Sequence, residues 1–200
     1  MKYFFLMVAT FMIMAGCTTS VPAVTQYKLQ QNPSRIQQRD VTNRVTLKVL
    51  KTSSDTILMN TKMWYSSHNL ESNIYHHSQW VLSPTTMVSE ALLEHIKTSH
   101  LFKDVIGYGS RADSDYVLES HLDEFIQYFS DDMKSSYVIV KLSVTLLQKQ
   151  PKKLLGTQTF YAKVDVQTLD ASGGVKALNE ALERVLQKVI IWLGDYDYDK

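Results

Sequence analysis

Apolar and polar residues alternate through the second half of the chain in a way that predicts long β-strands. The clearest alternation runs through residues 137–147, whose apolar face consists of Val138, Val140, Leu142, Val144 and Leu146. Residues 116–129 and 154–166 alternate similarly, but Phe125 falls out of phase, which predicts a bulge near Asp123. Shorter strands are predicted at residues 27–29, 45–49, 62–66, 73–77 and 102–108.

Two further segments repeat apolar residues at helical spacing. The first begins at Ser83 and Pro84, which favour an N-cap followed by the first helical position, and ends near His100. Its apolar stripe consists of Val88, Ala91, Leu92, His95 and Ile96. The second follows the turn at residues 170–173 and is predicted to be capped by Gly194. Its stripe consists of Leu178, Leu182, Val185, Leu186, Val189 and Leu193.

These elements predict an α+β fold, namely a single two-layer domain with a largely antiparallel mixed sheet covered by two amphipathic helices. The turns between consecutive strands are short, which favours antiparallel neighbours. The strands are apolar on one side and need a cover, which the two helical stripes can supply. The pattern leaves open whether both helices lie on the same face, and it assigns no element to residues 51–60.

The N-terminal sequence adds a targeting signal ahead of this domain. Lys2 precedes an almost wholly apolar run from Tyr3 to Ala15, which matches a secretory signal and is too short to span a bilayer. A cleavage motif then precedes the single cysteine of the chain and consists of Met14, Ala15 and Gly16. With Cys17 this motif resembles the lipobox of bacterial lipoproteins, in which the cysteine is lipidated and becomes the first residue. An ordinary secretory signal and an uncleaved anchor are the alternatives.

Composition narrows the class of protein further. Removing residues 1–16 from the 200-residue chain would leave 184 residues, which suits one domain. The formal net charge of +1 argues against nucleic-acid binding and against a polybasic membrane patch. Because Cys17 is the only cysteine, no internal disulfide or cysteine-based zinc site is expected. We therefore expect an extracytoplasmic domain held at a membrane by its N-terminus.

The sequence offers no motif for catalysis, and we do not expect an enzyme. It contains no nucleophile elbow, no phosphate-binding loop and no zinc-protease motif. No metal or cofactor is predicted, and His95 is interpreted as a packed or capping residue beside the first helical stripe. Two aspartate pairs lie in predicted turns, where we expect them to be solvated; they are Asp113 with Asp115 and Asp131 with Asp132.

Four aromatic residues are candidates for a partner interface. Trp64 and Tyr65 are neighbours on a predicted strand, so one is expected in the core and the other exposed or in an interface. Tyr128 and Phe129 end the longest predicted strand and could form an apolar edge. Simple burial is the alternative for all four. Trp80 is predicted to fill the core beneath the first helix.

Taken in order, several landmarks resemble the ABC-type transport auxiliary lipoprotein family. The resemblance covers most of residues 27–193. Its landmarks are Tyr27-Lys28-Leu29, Met63-Trp64-Tyr65, Tyr75, Trp80, Pro84, Leu92, Ile96, Ser99 to Val105, Ala112-Asp113, Asp115 to Leu118, Phe125 and Ala177-Leu178-Asn179 to Trp192.

The resemblance implies a role and not a reaction. Members of the family are lipoprotein partners of transporters with mammalian-cell-entry (MCE) domains, which move phospholipid between the inner and outer membranes. The resemblance also implies diacylglycerol and an N-acyl chain on Cys17, and homo-oligomers. Thr18 follows Cys17 in place of the aspartate associated with inner-membrane retention, which favours the periplasmic face of the outer membrane.

The resulting division of the chain has four parts: a lipoprotein signal peptide at 1–16, a lipidated N-terminus and flexible leash at 17–26, an auxiliary lipoprotein domain at 27–194, and a polar tail at 195–200. Two other roles remain open from the sequence. One is a lipoprotein of another envelope assembly or secretion machine. The other is an anchored envelope hydrolase with a dispersed active site.

Overall fold

A computed structural model describes residues 23–30, 43–67 and 71–198. The predicted cleavage motif and Cys17 lie outside the described residues. The nine strands of the described part form one mixed sheet. They are β1 Thr25–Tyr27, β2 Asn43–Val49, β3 Ser53–Ser54, β4 Lys62–Ser67, β5 Glu71–Trp80, β6 Phe102–Gly107, β7 Tyr116–Phe129, β8 Ser136–Gln148 and β9 Lys153–Asp165. Helix α1 is Pro84–Thr98 and helix α2 is Ala171–Gly194.

Strand β7 is the central strand of the sheet, and the other strands are arranged along its two edges. One of its edges pairs with β8 along its whole length in antiparallel fashion, and β8 pairs with β9 in the same way. Its other edge pairs in succession with β2, β3 and β4, all parallel to it. Strand β6 then adds to β2, and β5 and β1 add to β4. The α+β fold class with a mixed sheet is therefore confirmed, as is the bulge, which falls between Leu122 and Glu124.

Both helices cover the same face of this sheet. Alternate residues of β7 and β8 are buried, and α2 packs on β8 and β9 while α1 packs on β6, β7 and α2. The Ser83 side chain caps α1 by accepting a hydrogen bond from the Thr86 amide at 3.3 Å. Trp80 is buried and packs edge-on against Phe125, as its predicted place in the core requires.

Several boundaries differ from the sequence-based prediction. Strand β1 begins at Thr25 and ends at Tyr27, because this segment pairs with β5. Residues 51–60, to which no element was assigned, contain β3 and a 3₁₀ turn at Thr56–Leu58. Gly194 is the last residue of α2, and Asp195 is its C-cap.

The prediction of a polar tail at residues 195–200 is wrong for Tyr198, which is 3% exposed. Its ring packs edge-on against Phe102 and Tyr116, with centroids 5.1 and 5.0 Å away. The Tyr198 hydroxyl donates to the Leu193 carbonyl at 2.8 Å, and the Tyr116 hydroxyl donates to the Tyr198 carbonyl at 3.1 Å. Tyr198 therefore closes one end of the core.

Candidate functional site

The four aromatic residues predicted as an interface lie together at the end of the sheet where β4 joins β7. The register places Tyr65 beside Gln127 and Ser66 beside Tyr128. Because paired residues of parallel strands share a face, Tyr65 and Phe129 point to the helix side, and Tyr128 points to the other side. All four side chains are half-buried. We call this region the aromatic end.

On the helix side, the structure brings Tyr65 and Phe129 into contact. Their ring centroids are 5.5 Å apart in an edge-to-face arrangement. Tyr75 of β5 joins them, with its centroid 4.7 Å from that of Tyr65. Aromatic pairs in such geometries contribute about 0.5–1.5 kcal/mol beyond simple burial. These three rings therefore hold β4, β5 and β7 together at this end.

A buried polar network lies next to these rings. Gln127 is 2% exposed, and its Oε1 accepts a hydrogen bond from the Tyr75 hydroxyl at 3.0 Å. Gln127 Nε2 donates in turn to Ser136 Oγ at 2.9 Å. Burial, with the neighbouring charges of Tyr65 and Asp170, raises the pKa of Tyr75 well above its usual range, so this phenol stays a donor. A satisfied network of this kind specifies one packing arrangement of the strands.

On the opposite face, Tyr128 and Tyr137 form a stacked pair with centroids 5.3 Å apart. The Lys163 ammonium lies 3.6 Å from the Tyr137 ring centroid, and the Tyr128 hydroxyl donates to a Glu124 carboxylate oxygen. Burial, and then this hydrogen bond, raise the pKa of Tyr128 above its usual range. The result is a half-exposed pair of aromatic rings with a cation at one side and a carboxylate at the other. Such a surface suits recognition of a polar or aromatic partner.

Trp64 contributes a second feature at the aromatic end. Its side chain is half-buried, and its indole Nε1 is buried without a hydrogen-bond partner among the described residues. A buried indole N–H usually finds an acceptor.

The other residues considered for chemistry have structural roles. His95 is buried, with Nδ1 2.8 Å from the Ala91 carbonyl oxygen and Nε2 2.7 Å from a Glu183 carboxylate oxygen, which confirms its packing role. Asp113 pairs with Lys149, and Asp115 accepts from the Thr46 amide at 2.7 Å.

Two negative results concern only the described part of the chain. Its His, Cys, Asp and Glu side chains form no cluster of three or more that could hold a metal ion. Neither described helix combines the length and apolarity needed to cross a bilayer.

The sequence-based prediction missed Tyr75, Tyr137 and Lys163, which complete both sides of the aromatic end. The signal for Tyr137 was present in the turn predicted around Asp131 and Asp132. A hairpin around that turn pairs Phe129 with Ser136, and therefore Tyr128 with Tyr137. The positions of Tyr75 and Lys163 depend on how β5 pairs with β4 and how β9 pairs with β8, and that turn determines neither pairing.

One family model matches this sequence, and two solved structures resemble its fold. A family model described as ABC-type transport auxiliary lipoprotein component matches residues 27–190. The structure resembles protein XCC0632 from Xanthomonas campestris, of family DUF330, with a TM-score of 0.76 at 18% identity over 84% of this chain and 94% of that one. It also resembles an uncharacterized protein with a TM-score of 0.66 at 14% identity over 86% and 99% of the two chains. No curated protein matches in sequence.

Proposed function

The chain belongs to the ABC-type transport auxiliary lipoprotein component family, and we propose that it is a non-catalytic docking component of an MCE-type phospholipid transport system. In this proposal Cys17 carries the lipid anchor and the domain works at the periplasmic face of the outer membrane. The observation that carries the proposal is the family match over residues 27–190, which starts ten residues after the lipobox-like cysteine.

The position of β1 supports the anchoring geometry. Strand β1 begins at Thr25, eight residues after Cys17. Eight extended residues span at most about 28 Å. A lipid on Cys17 would therefore hold the β1 edge of the sheet within about 30 Å of the bilayer surface. Confinement near the bilayer raises the effective concentration of a membrane-anchored partner, so that weak contacts are sufficient.

The aromatic end supplies the surface that we assign to the transporter partner. Tyr128, Tyr137 and Lys163 present stacked rings and a cation on the side of the sheet that the helices leave open. Aromatic residues are enriched in protein interfaces, and charged groups at their rim provide specificity. The rings on the helix side are tied into the core and serve to fix this surface in place.

Photo-crosslinking in cells tests the docking role. A photoreactive amino acid at position 128 is expected to capture an MCE-domain protein, whereas the same group at exposed Lys103 of β6 serves as the control. Capture of secretion components, or equal capture at both positions, would contradict the proposed partner or the proposed surface.

A separate experiment tests the anchor. The Cys17→Ser variant is expected to lose acyl labelling and to appear as soluble or unprocessed protein. Processed Cys17→Ser protein that still fractionates with the outer membrane would contradict lipid anchoring and would leave the docking result unaffected.

A further inference from the structure

Strand β9 is a long edge strand in the described part of the sheet. It has thirteen residues and pairs with β8 alone among the described strands. Three large apolar side chains are strongly exposed along this edge and the adjoining helix, namely Leu154 at 58%, Tyr161 at 63% and Ile191 at 63%. Exposed edge strands of this length pair readily with another strand.

Two side-chain contacts identify the backbone groups that face away from β8. The Tyr161 carbonyl accepts a hydrogen bond from Lys188 Nζ at 2.8 Å, and the Thr159 carbonyl accepts from Gln158 Nε2 at 3.4 Å. Successive residues of an antiparallel strand direct their amide and carbonyl groups to opposite edges. Thr157, Thr159 and Tyr161 therefore direct their backbone groups away from β8, and a paired strand would replace Lys188 as the donor to the Tyr161 carbonyl.

The charges of β9 are arranged so that the strand complements itself. Thr159 is the middle residue of Lys153–Asp165. Lys152 and Lys153 lie at one end and Asp165 at the other, and all three are exposed. Consider a second copy of the chain related to the first by a twofold axis at Thr159. The β8–β9 pairing shifts by one residue near Leu155, so Asp165 of the second copy would lie beside both Lys152 and Lys153. Opposite charges facing each other across strands stabilise such a pairing.

Helix α2 presents an apolar residue level with the same point. Lys188 bonds the Tyr161 carbonyl, while Trp192 packs edge-on against Phe160. Ile191 lies between Lys188 and Trp192 on α2, so these two contacts place it beside the middle of β9. Tyr161 and Ile191 both line a groove of about 480 Å³, which leaves room for a neighbour.

We propose that β9 binds the β9 strand of a second copy of this chain, antiparallel and with a twofold axis through Thr159. The two sheets then become continuous, and each Ile191 faces its counterpart. Helix α2 packs equally on β8 and β9, so its axis should lie about half a strand spacing inside the edge strand. With strands about 4.8 Å apart, the two α2 helices would lie about 10 Å apart, which is a normal helix packing distance.

Disulfide trapping with a matched pair of threonines tests the register. Thr159→Cys in the full chain, produced with its own signal in a bacterial envelope, is expected to give a covalent dimer on a non-reducing gel. The two Cα atoms at the axis would lie about 5.5 Å apart, within disulfide reach.

Thr157→Cys is the control, because Thr157 is also exposed and bonded to a hydroxyl of β8. Two copies of residue 157 would lie about 14 Å apart in this arrangement, which is beyond disulfide reach. Chains with Thr157→Cys and chains with Tyr161→Cys, carrying different tags, are expected to crosslink when produced together. Both variants retain Cys17, so the comparison cancels any contribution from that residue.

Exchanging the charges at the two ends of β9 tests whether they complement each other across the proposed dimer. Asp165→Lys is expected to weaken dimerisation roughly tenfold, because two cross-strand pairs become repulsive. Adding Lys152→Asp and Lys153→Asp in the same chain is expected to restore it. A monomeric chain, trapping at 157 as strong as at 159, or a ring in which neither position traps would overturn the proposal.

Discussion

Gly174, on the first turn of α2, lies directly against the buried amide of Gln127 on β7. A β-carbon at position 174 would overlap Gln127 Oε1. That oxygen is held by the Tyr75 hydroxyl, and the nitrogen of the same amide is held by Ser136. The amide therefore cannot turn away without breaking the network that fixes the aromatic end.

Gly174→Ala is expected to destabilise the protein even though alanine favours helix. Overpacking a core costs about 1–3 kcal/mol, and the gain in helix propensity offsets at most about 1 kcal/mol of this. The free energy of unfolding in urea is the measurement. Gly109→Ala is the control, because nothing lies within 4 Å of a β-carbon at that position. Equal effects of the two substitutions would show that the contact with Gln127 is unimportant.

Sequence patterns predicted the features that repeat along one element. In β8, in β7 on either side of its bulge, and in most of α2, the buried residues recur with the period of the strand or helix, so the pattern was readable without tertiary information. The bulge near Asp123 was also visible, because Phe125 changes phase there. The parallel pairing of β2, β3 and β4 along β7 was not predictable in this way, since no short turn connects these strands to β7.

The candidate site was predictable only in part, for the same reason. Alternation along one strand put Trp64 and Tyr65 on opposite faces. The contact of Tyr75 with Gln127 joins residues 52 positions apart, and nothing in either local sequence indicates it. Tyr198 was misplaced because its neighbours Asp195 and Asp197 make the segment look polar, whereas Phe102 and Tyr116 decide its burial.

His95 and Glu183 are expected to couple the two helices energetically. His95 is buried between two hydrogen-bond acceptors, with its Nδ1 2.8 Å from the Ala91 carbonyl oxygen and its Nε2 2.7 Å from a Glu183 carboxylate oxygen. A double-mutant cycle with His95→Ala and Glu183→Ala should give an interaction energy of about 1–2 kcal/mol.

Glu180 and Arg184 provide the control for that cycle, since they form an exposed pair on the same helix with both side chains 54% accessible. Their interaction energy should be about 0.5 kcal/mol or less. A cycle at His95 and Glu183 that gives no more than this would contradict the coupling.

Tyr198 is expected to contribute to stability as a core residue. Tyr198→Ala removes a ring that packs on Phe102 and Tyr116, and it should lower the free energy of unfolding by about 3–4 kcal/mol. Tyr198→Phe keeps the ring and loses only the hydrogen bond to Leu193, so about 1 kcal/mol is expected. Chemical denaturation distinguishes the two. A Tyr198→Ala variant with unchanged stability would show that the residue 198 side chain is not part of the core.

Asp170 is expected to make the stability of the α2 start depend on pH. Its carboxylate accepts a hydrogen bond from the Gly173 amide at 2.7 Å and another from the Thr168 hydroxyl at 3.0 Å, and these bonds hold its pKa below the ordinary value of 3.8. A carboxyl whose pKa is lowered on folding stabilises the protein above its unfolded pKa, and this contribution is lost as the pH falls through the folded pKa.

Two substitutions of Asp170 should differ in stability because of its N-cap role. Asp170→Ala should cost about 1 kcal/mol at neutral pH, whereas Asp170→Asn keeps an acceptor for the Gly173 amide and should cost much less. Because asparagine does not titrate, the wild type should lose more stability than Asp170→Asn when the pH falls from neutral to below 3.8. The measurement is the free energy of unfolding of both proteins across this pH range. Parallel curves for the two proteins would mean that this carboxylate does not contribute to the acid sensitivity of the fold.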